Sequence, residues 1–425
     1  MTTMSDAINA FVQLGAARDG LDPYLECARR RGMPAVLVDT PAFLKWRRHL
    51  GLKPFDIEIP VAVPESADQV SLALRAARVL PAFTLAGFER YAQSAFLLAG
   101  QERIAPWPHC GMSFTPPDKA SQREALALRA PEVLQPAYVH LGLDAPVHCL
   151  DHLAFPQVVK PVDGAGGLGV YLVRDESERD RALREAAATR NYGGAAFTGL
   201  LVEECVQGTE YSLQCLALEG KARILSVCEK VVLPEHEGVL PGFREAGHMA
   251  APGDHAPCEV KALAQSCLDA TGYEEGPFHV DLIRGGRGPY FLEMGFRLSG
   301  FGLVSLVERA TGVSWAEATF TAHLDRREPL WLDSGGTRQA AGQLVATDPR
   351  QLARAHELAA NHPGVHVQAA PALPDQGQFS ARELETLASD RRRHAAILGR
   401  VTLRADSEDE VRGLLRHCAA GGQGG

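Results

Sequence analysis

Four glycines in six residues, Gly164 to Gly169, lie between the apolar runs Val158-Val159 and Val170-Tyr171-Leu172-Val173. No other feature restricts the fold as strongly. β-Branched runs on both sides read as strands, and glycine supplies the backbone freedom that a tight loop needs. Gly164, Gly166 and Gly169 formally match G-x-G-x-x-G, but a dinucleotide fingerprint must open a helix, and here a second strand follows at once. A Walker A loop needs Gly-Lys-Ser/Thr, which Val170-Tyr171 excludes. What remains is a β-loop-β flap whose bare N–H groups can close over phosphates, with Lys160 supplying a point charge four residues upstream. Gly167 belongs to the same run.

A second feature is the stretch His279 to Arg297, which reads as a hairpin over 278–283 and 289–294. A turn centred on Arg287 sets Asp281 directly opposite Glu293, with Cβ atoms about 4.5–5.5 Å apart. Two anions so placed repel unless a cation joins them, and hard oxygen ligands suit a Mg²⁺ that also holds phosphates. In that register Ile283 and Phe291 share the acidic face, and His279 faces Gly295. Arg297 lies four residues past Glu293, within reach of a phosphate or a developing oxyanion. A third, weaker feature is Leu201-Val-Glu203-Glu204-Cys205-Val206 followed by Gly208 and Glu210. An apolar strand with paired acids and then a turn can line a purine pocket, and a capped strand end explains it equally well.

The other elements set these features in order. Residues 10–14, 34–39, 56–63 and 81–85 read as strands, alternating with helices over 22–31, 66–80 and 89–98, which argues a parallel doubly wound sheet. Its first turn, Gly15-Ala-Ala-Arg-Asp-Gly20, lacks the dinucleotide signature, so this sheet is expected to lend a scaffold and a wall. Pro106, Pro108, Pro116 and Pro117 mark a connector, and a helix over 118–129 follows with Asp118 as N-cap. Helices are expected over 176–188, 256–271, 303–310 and 315–324, and antiparallel strands over 211–218 and 222–232. Gly335-Gly336 opens a last α/β segment. The division is therefore 1–115, a Rossmann-like domain; 116–205, linker helix and lid; 206–332, catalytic domain; 333–420, a small α/β domain; and 421–425, a glycine tail expected to be disordered. The fold class is α/β, with α+β character in the catalytic part.

Composition removes whole classes of function. The chain has 425 residues, is 46% hydrophobic and carries a net charge of −9. It can bury large cores, it has no Lys/Arg-rich block for nucleic acid, and no apolar run nears the ~20 residues of a membrane helix. Residues 1–20 lack the pattern of a secretory signal. Nine scattered cysteines without a CxxC pair suit a reducing cytoplasm. His148, Cys149, Asp151 and His152 form the most metal-like local cluster, but no second ligand pair stands at zinc spacing.

The order of these features resembles the ATP-grasp superfamily, from about Asp118 to Gly302. The group it most resembles is the carboxylate–amine ligases, including L-amino acid ligases and biotin-carboxylase-like enzymes. The resemblance implies an N-terminal Rossmann-like sheet, a small lid, a central antiparallel catalytic sheet and a small C-terminal segment. It implies that Lys119 and Lys160 meet nucleotide phosphates under the flap Gly164 to Gly169. Glu203, Glu204, Cys205 and Val206 match the adenine hinge, and Glu210 the acid near the ribose. Asp281 and Glu293 match two magnesium carboxylates, with Mn²⁺ as an alternative ion. Arg297 matches the arginine at the transferred phosphate. His248, in Gly247-His248, matches a substrate residue, and Phe301 would floor the side-chain pocket.

The resemblance implies ATP as cosubstrate and a small carboxylate and amine as substrates, with no nucleic acid or membrane partner and with room for a homodimer. One departure stands out. The family reads Glu-x-Asn-x-Arg, whereas Glu293-Met294-Gly295-Phe296-Arg297 has no side chain at the asparagine position. Either water or a substrate oxygen would then complete the metal shell, or only one magnesium is held firmly. Gly295→Asn is expected to tighten the shell if it is merely short of a ligand, and to crowd the site and lower activity if His279 or a substrate oxygen already fills that space. The departure also admits an ATP-binding module without turnover. A carboxylase of the biotin-carboxylase type is a further alternative, and a nicotinamide reductase is opposed by the strand after the loop. Lys160 and Glu293 are expected at exposed loop or hairpin ends, where replacing them leaves the fold intact.

Overall fold

A computed structural model describes residues 7–18, 20–102, 104, 118–142, 150, 152–235, 240–327, 329, 340–373 and 375–419. The connector prolines, His148, Cys149, Asp151 and the glycine tail lie outside these residues. Among the described residues sixteen strands form two sheets. β1 (Ile8–Leu14), β2 (Ala35–Asp39), β3 (Ile57–Pro60) and β4 (Val79–Ala86) pair in parallel in the order β3-β2-β1-β4. Their near-continuous apolar runs suit a sheet covered on both faces.

The larger sheet holds twelve strands. These are β5 (Tyr138–Leu141), β6 (Gln157–Pro161), β7 (Tyr171–Val173), β8 (Leu200–Glu204), β9 (Thr209–Leu218), β10 (Lys221–Glu235), β11 (Gly242–Pro252), β12 (Gly276–Gly285), β13 (Gly288–Gly295), β14 (Ala340–Ala346), β15 (Val365–Ala369) and β16 (Gly399–Ala405). The path β13-β12-β9-β10-β11-β7-β6-β8-β5 carries the lid strands at one end and the carboxylate hairpin at the other. β14 pairs with β11, so the C-terminal strands extend this sheet.

Up to residue 332 the helix Pro41–His49, β5 and β11 escape the sequence reading, and beyond it the individual strands and helices of the last α/β segment do so too. β11 is hard to see because Gly242, Gly247 and His248 interrupt its apolar pattern, and pairing with β10 and β14 supplies what propensity lacks. The helix expected over 89–98 begins as a 3₁₀ turn, Glu89–Tyr91, and continues as Ala92–Gln101.

The two sheets are joined through aromatic side chains. Phe320, on the helix Trp315–His323, stands 5.1 Å from Phe11 and 5.2 Å from Phe83 between ring centres. All three rings are fully buried, each contributing roughly 1.5–3 kcal/mol of hydrophobic stabilisation. Trp315 anchors the same helix by donating its indole N–H to the Cys215 carbonyl at 2.9 Å. The seven described cysteines are all free. Among the described residues no helix is long and apolar enough to cross a membrane.

Candidate active site

The flap is a strand–loop–strand. β6 and β7 pair antiparallel from Gln157↔Val173 to Val159↔Tyr171, and Gly166, Gly167 and Gly169 all take positive φ. Below it the helix Lys119–Arg129 starts at Asp118, whose Oδ1 accepts the Ser121 N–H at 2.9 Å as the N-cap. This cap fixes the direction of Lys119. Lys119 Nζ donates to the Gly164 carbonyl at 2.8 Å and lies 2.7 Å from Glu293 Oε2.

The same helix is clamped to β13. Gln122, fully buried, donates to the Met294 carbonyl at 2.7 Å and accepts the Met294 N–H at 2.9 Å. Arg123 donates to the Phe291 carbonyl. Three bonds therefore hold the backbone on either side of Glu293. Neither Gln122 nor these clamps were legible in the sequence, because a glutamine on a helix face carries no pattern of its own.

Asp281 and Glu293 do face each other across β12 and β13. The turn is not centred on Arg287, however. Gly285 pairs with Gly288, which leaves a two-residue turn, and an extra residue at Leu292 restores the Asp281↔Glu293 pair. This bulge changes which apolar residues share the acidic face. Phe291 pairs with Leu282 and is buried away from the cavity, while Leu292 lines it beside Ile283.

Lys230 on β10 is the residue the sequence reading missed most clearly. Its ammonium lies 2.5 Å from Asp281 Oδ2, 2.7 Å from Glu210 Oε1 and 3.1 Å from Glu245 Oε2. Burial alone would lower its pKa, but three carboxylates outweigh burial and raise it. Ser212 completes the Asp281 shell by donating its hydroxyl at 2.6 Å. Glu210 is pushed up by burial, against the pull of Lys230. Glu245 is held low despite burial, by Lys230 and His248. A lone lysine in the alternating strand Ala222 to Val232 gave no hint that three acids from β9, β11 and β12 converge on it.

Lys160 and Glu203 stand differently from expectation. Both are buried, and Lys160 contacts Glu203, whose second oxygen accepts from Arg123 at 2.9 Å. Lys160 is thus not at an exposed end, because β6 runs inside the sheet between β7 and β8. Burial drives the Glu203 carboxyl up, and Lys160 and Arg123 bring it below the usual range. Glu204 is exposed and Cys205 and Val206 are half-buried at the cavity wall.

Arg297 Nε lies 2.9 Å from Glu89 Oε2, a carboxylate lent by the N-terminal part of the chain, and its Nη1 donates to the Leu298 carbonyl at 2.5 Å. His248 is fully buried, with Nε2 3.1 Å from Glu245 Oε1 and its ring edge-on to Phe301 at 5.4 Å. Phe301 itself lines the cavity, with φ at +63°. The cavity holds about 1960 Å³ and runs from the flap to Arg18 in the first turn of the parallel sheet, which thus forms a wall.

Among the described residues no group of three His, Cys, Asp or Glu side chains is placed to hold a metal ion by itself, and the three acids around Lys230 are taken up by its ammonium. Asp281 and Glu293 are nevertheless a fitting pair of hard oxygen donors. Burial raises the Glu293 pKa, but Lys119 overrides it and holds the group at about 2, fully ionised near neutrality. A divalent ion there would take its remaining ligands from water and phosphate oxygens.

Residues 153–304 match the family model of the ATP-grasp domain. Those residues are thus similar to an ATP-grasp domain, and the chain shares its fold with solved structures over nearly its whole length. Dapdiamide A synthase of Enterobacter agglomerans is 22% identical over 163 residues, or 38% of this chain. A formate-dependent phosphoribosylglycinamide formyltransferase of Stutzerimonas stutzeri (strain A1501) is 31% identical over 157 residues, or 37% of this chain. The matched stretch spans 38% of the length of each of these relatives. Among solved structures, an L-amino acid ligase from Bacillus licheniformis superposes with a TM-score of 0.68 at 19% identity, covering 97% of both chains.

Proposed function

We propose that the protein is an ATP-dependent carboxylate–amine ligase that forms ADP and phosphate. The observation that supports this best is the convergence on one cavity of Lys119 and the glycine flap with the Asp281–Glu293 pair and Arg297. A carboxylate oxygen of the substrate attacks the γ-phosphorus of ATP, and the bond to the β,γ-bridging oxygen breaks to release ADP. An amine then attacks the acyl carbon of the acyl-phosphate. The carbon–oxygen bond to phosphate breaks, and phosphate leaves with the proton that the amine loses.

In this reading Lys119 and Lys160 neutralise the nucleotide phosphates. The flap excludes water that would hydrolyse the acyl-phosphate. Glu89 keeps Arg297 extended toward the reacting group, where its charge stabilises the tetrahedral oxyanion. Asp281 and Glu293 would hold Mg²⁺, which when bound spreads the charge of the transferred phosphoryl group. The shared fold of an L-amino acid ligase is in keeping with an amino acid as the activated carboxylate.

The test is a phosphate-release screen over a matrix of amino acids, small acids and amines, with ADP measured in parallel. Release that needs both a carboxylate and an amine is expected. A protein that binds ATP and releases neither product with any pair is a binding module, the reading that Gly295 in place of asparagine favours.

A further inference from the structure

Gly295 pairs with His279 across β13 and β12. A Cβ built on Gly295 would lie 2.0 Å from His279 Cε1, 2.5 Å from Nε2 and 2.8 Å from Nδ1. The imidazole therefore occupies the volume that any side chain at 295 would fill. Of the two outcomes expected for an asparagine here, this favours the one in which His279 already fills the space. The ring is also held in place: Nδ1 lies 3.3 Å from the Arg297 carbonyl, which can only accept a hydrogen bond. In the neutral ring the proton then resides on Nδ1, and Nε2 is left as an acceptor. Nε2 has no protein partner among the described residues, and His279 lines the cavity two residues from Asp281 on the same strand face.

We propose that His279 replaces, from the neighbouring strand, the polar group that position 295 lacks, so that His279 and Gly295 act as one unit in the metal–nucleotide site. Nε2 accepts a hydrogen bond from a metal-bound water. Gly295 is required because only glycine leaves the ring room. The inference rests on the metal–nucleotide part of the ligase reading and not on the ligation step.

A binding cycle tests it. Affinity for a non-hydrolysable ATP analogue is measured calorimetrically, with and without Mg²⁺, for wild type, His279→Ala, Gly295→Asn and His279→Ala/Gly295→Asn. Loss of a hydrogen bond in a charged site is expected to weaken the Mg²⁺-dependent binding of His279→Ala by roughly tenfold. Gly295→Asn is expected to weaken it by a similar factor, because the ring must move.

The double variant is expected within about threefold of wild type, since the asparagine fills the vacated volume and restores a polar group. Thermal melting without nucleotide identifies any variant that fails to fold, and His279→Gln serves as the replacement in that case, with the same expected weakening. Wild-type affinity in His279→Ala, or losses that simply add in the double variant, would overturn the proposal. If the cycle behaves as expected and no carboxylate–amine pair turns over, the ligation step fails while the His279–Gly295 unit stands.

Discussion

Lys160 carries two duties that its replacement separates. Its ammonium faces the cavity under the flap and also neutralises buried Glu203. Lys160→Met is expected to lower turnover at least ~100-fold through loss of phosphate stabilisation. It should also cost roughly 2 kcal/mol of stability, less than the usual buried pair, because Arg123 still holds Glu203. Adding Glu203→Gln should recover the stability and not the turnover. Urea unfolding beside product assays separates the two effects, and recovery of turnover in the double variant would remove Lys160 from the chemistry.

Glu293 makes a second claim at this scale. Its folded pKa of about 2 lies below the ordinary 4.5, so ionised Glu293 favours the folded state. That stability is present in full above the unfolded value and drains as pH falls from about 4.5 toward about 2. The stability gap between wild type and Glu293→Gln should therefore narrow across this window. A gap that stays constant on acid titration would contradict the Lys119–Glu293 pairing.

At the scale of elements, the flap and the carboxylate hairpin behave differently. The hairpin is clamped by Gln122 and Arg123, so it presents its acids from a fixed frame. The flap has no such clamp on its glycines: Lys119 reaches the Gly164 carbonyl, Ala165 and Leu168 pack at the edge of the core, and Gly166 lies close to Arg393 and Tyr192. Four glycines in six residues carry high backbone entropy, which phosphate contacts would offset. Amides of residues 164–169 are expected to gain hydrogen-exchange protection when an ATP analogue binds, while those of β12 and β13 change little. Equal protection in both states would rule out a closing flap. The segment near Arg393 also shows the helix Ala388–Ala396 of the last α/β segment meeting the lid, where Asp390 accepts the Gly193 N–H at 3.2 Å.

Across the whole molecule, Arg18 ties distant parts of the chain together. The guanidinium lies between the rings of Phe43 and Phe88, 3.5 and 4.1 Å from their centres. It stands 3.4 Å from Asp39 and 3.8 Å from Asp390, with all three groups buried. Arg18→Met leaves two buried carboxylates without their shared cation and is expected to cost about 3–5 kcal/mol. Arg31 also joins the N-terminal part to the catalytic part, 2.6 Å from Asp325 near the surface, and Arg31→Met should cost only about 1 kcal/mol. Denaturant midpoints for the two variants check the contrast, and equal losses would mean that Arg18 is not the stronger tie.

Local pattern determined much of this protein. Period and glycine context separated the flap from a dinucleotide loop, and hairpin pairing set Asp281 against Glu293 even though the turn lies elsewhere, because a bulge compensates. Composition placed the chain among globular proteins without membrane helices. Convergence between strands far apart in sequence needed the tertiary structure. Lys230 among Glu210, Glu245 and Asp281, and Glu89 beside Arg297, are contacts that no spacing encodes, whereas hairpin register already sets His279 opposite Gly295. A strand's sequence dictates which face a side chain takes, with period two, but not which strand lies beside it. Register and sheet order decide which charges meet, and burial then makes each meeting strong enough to set protonation.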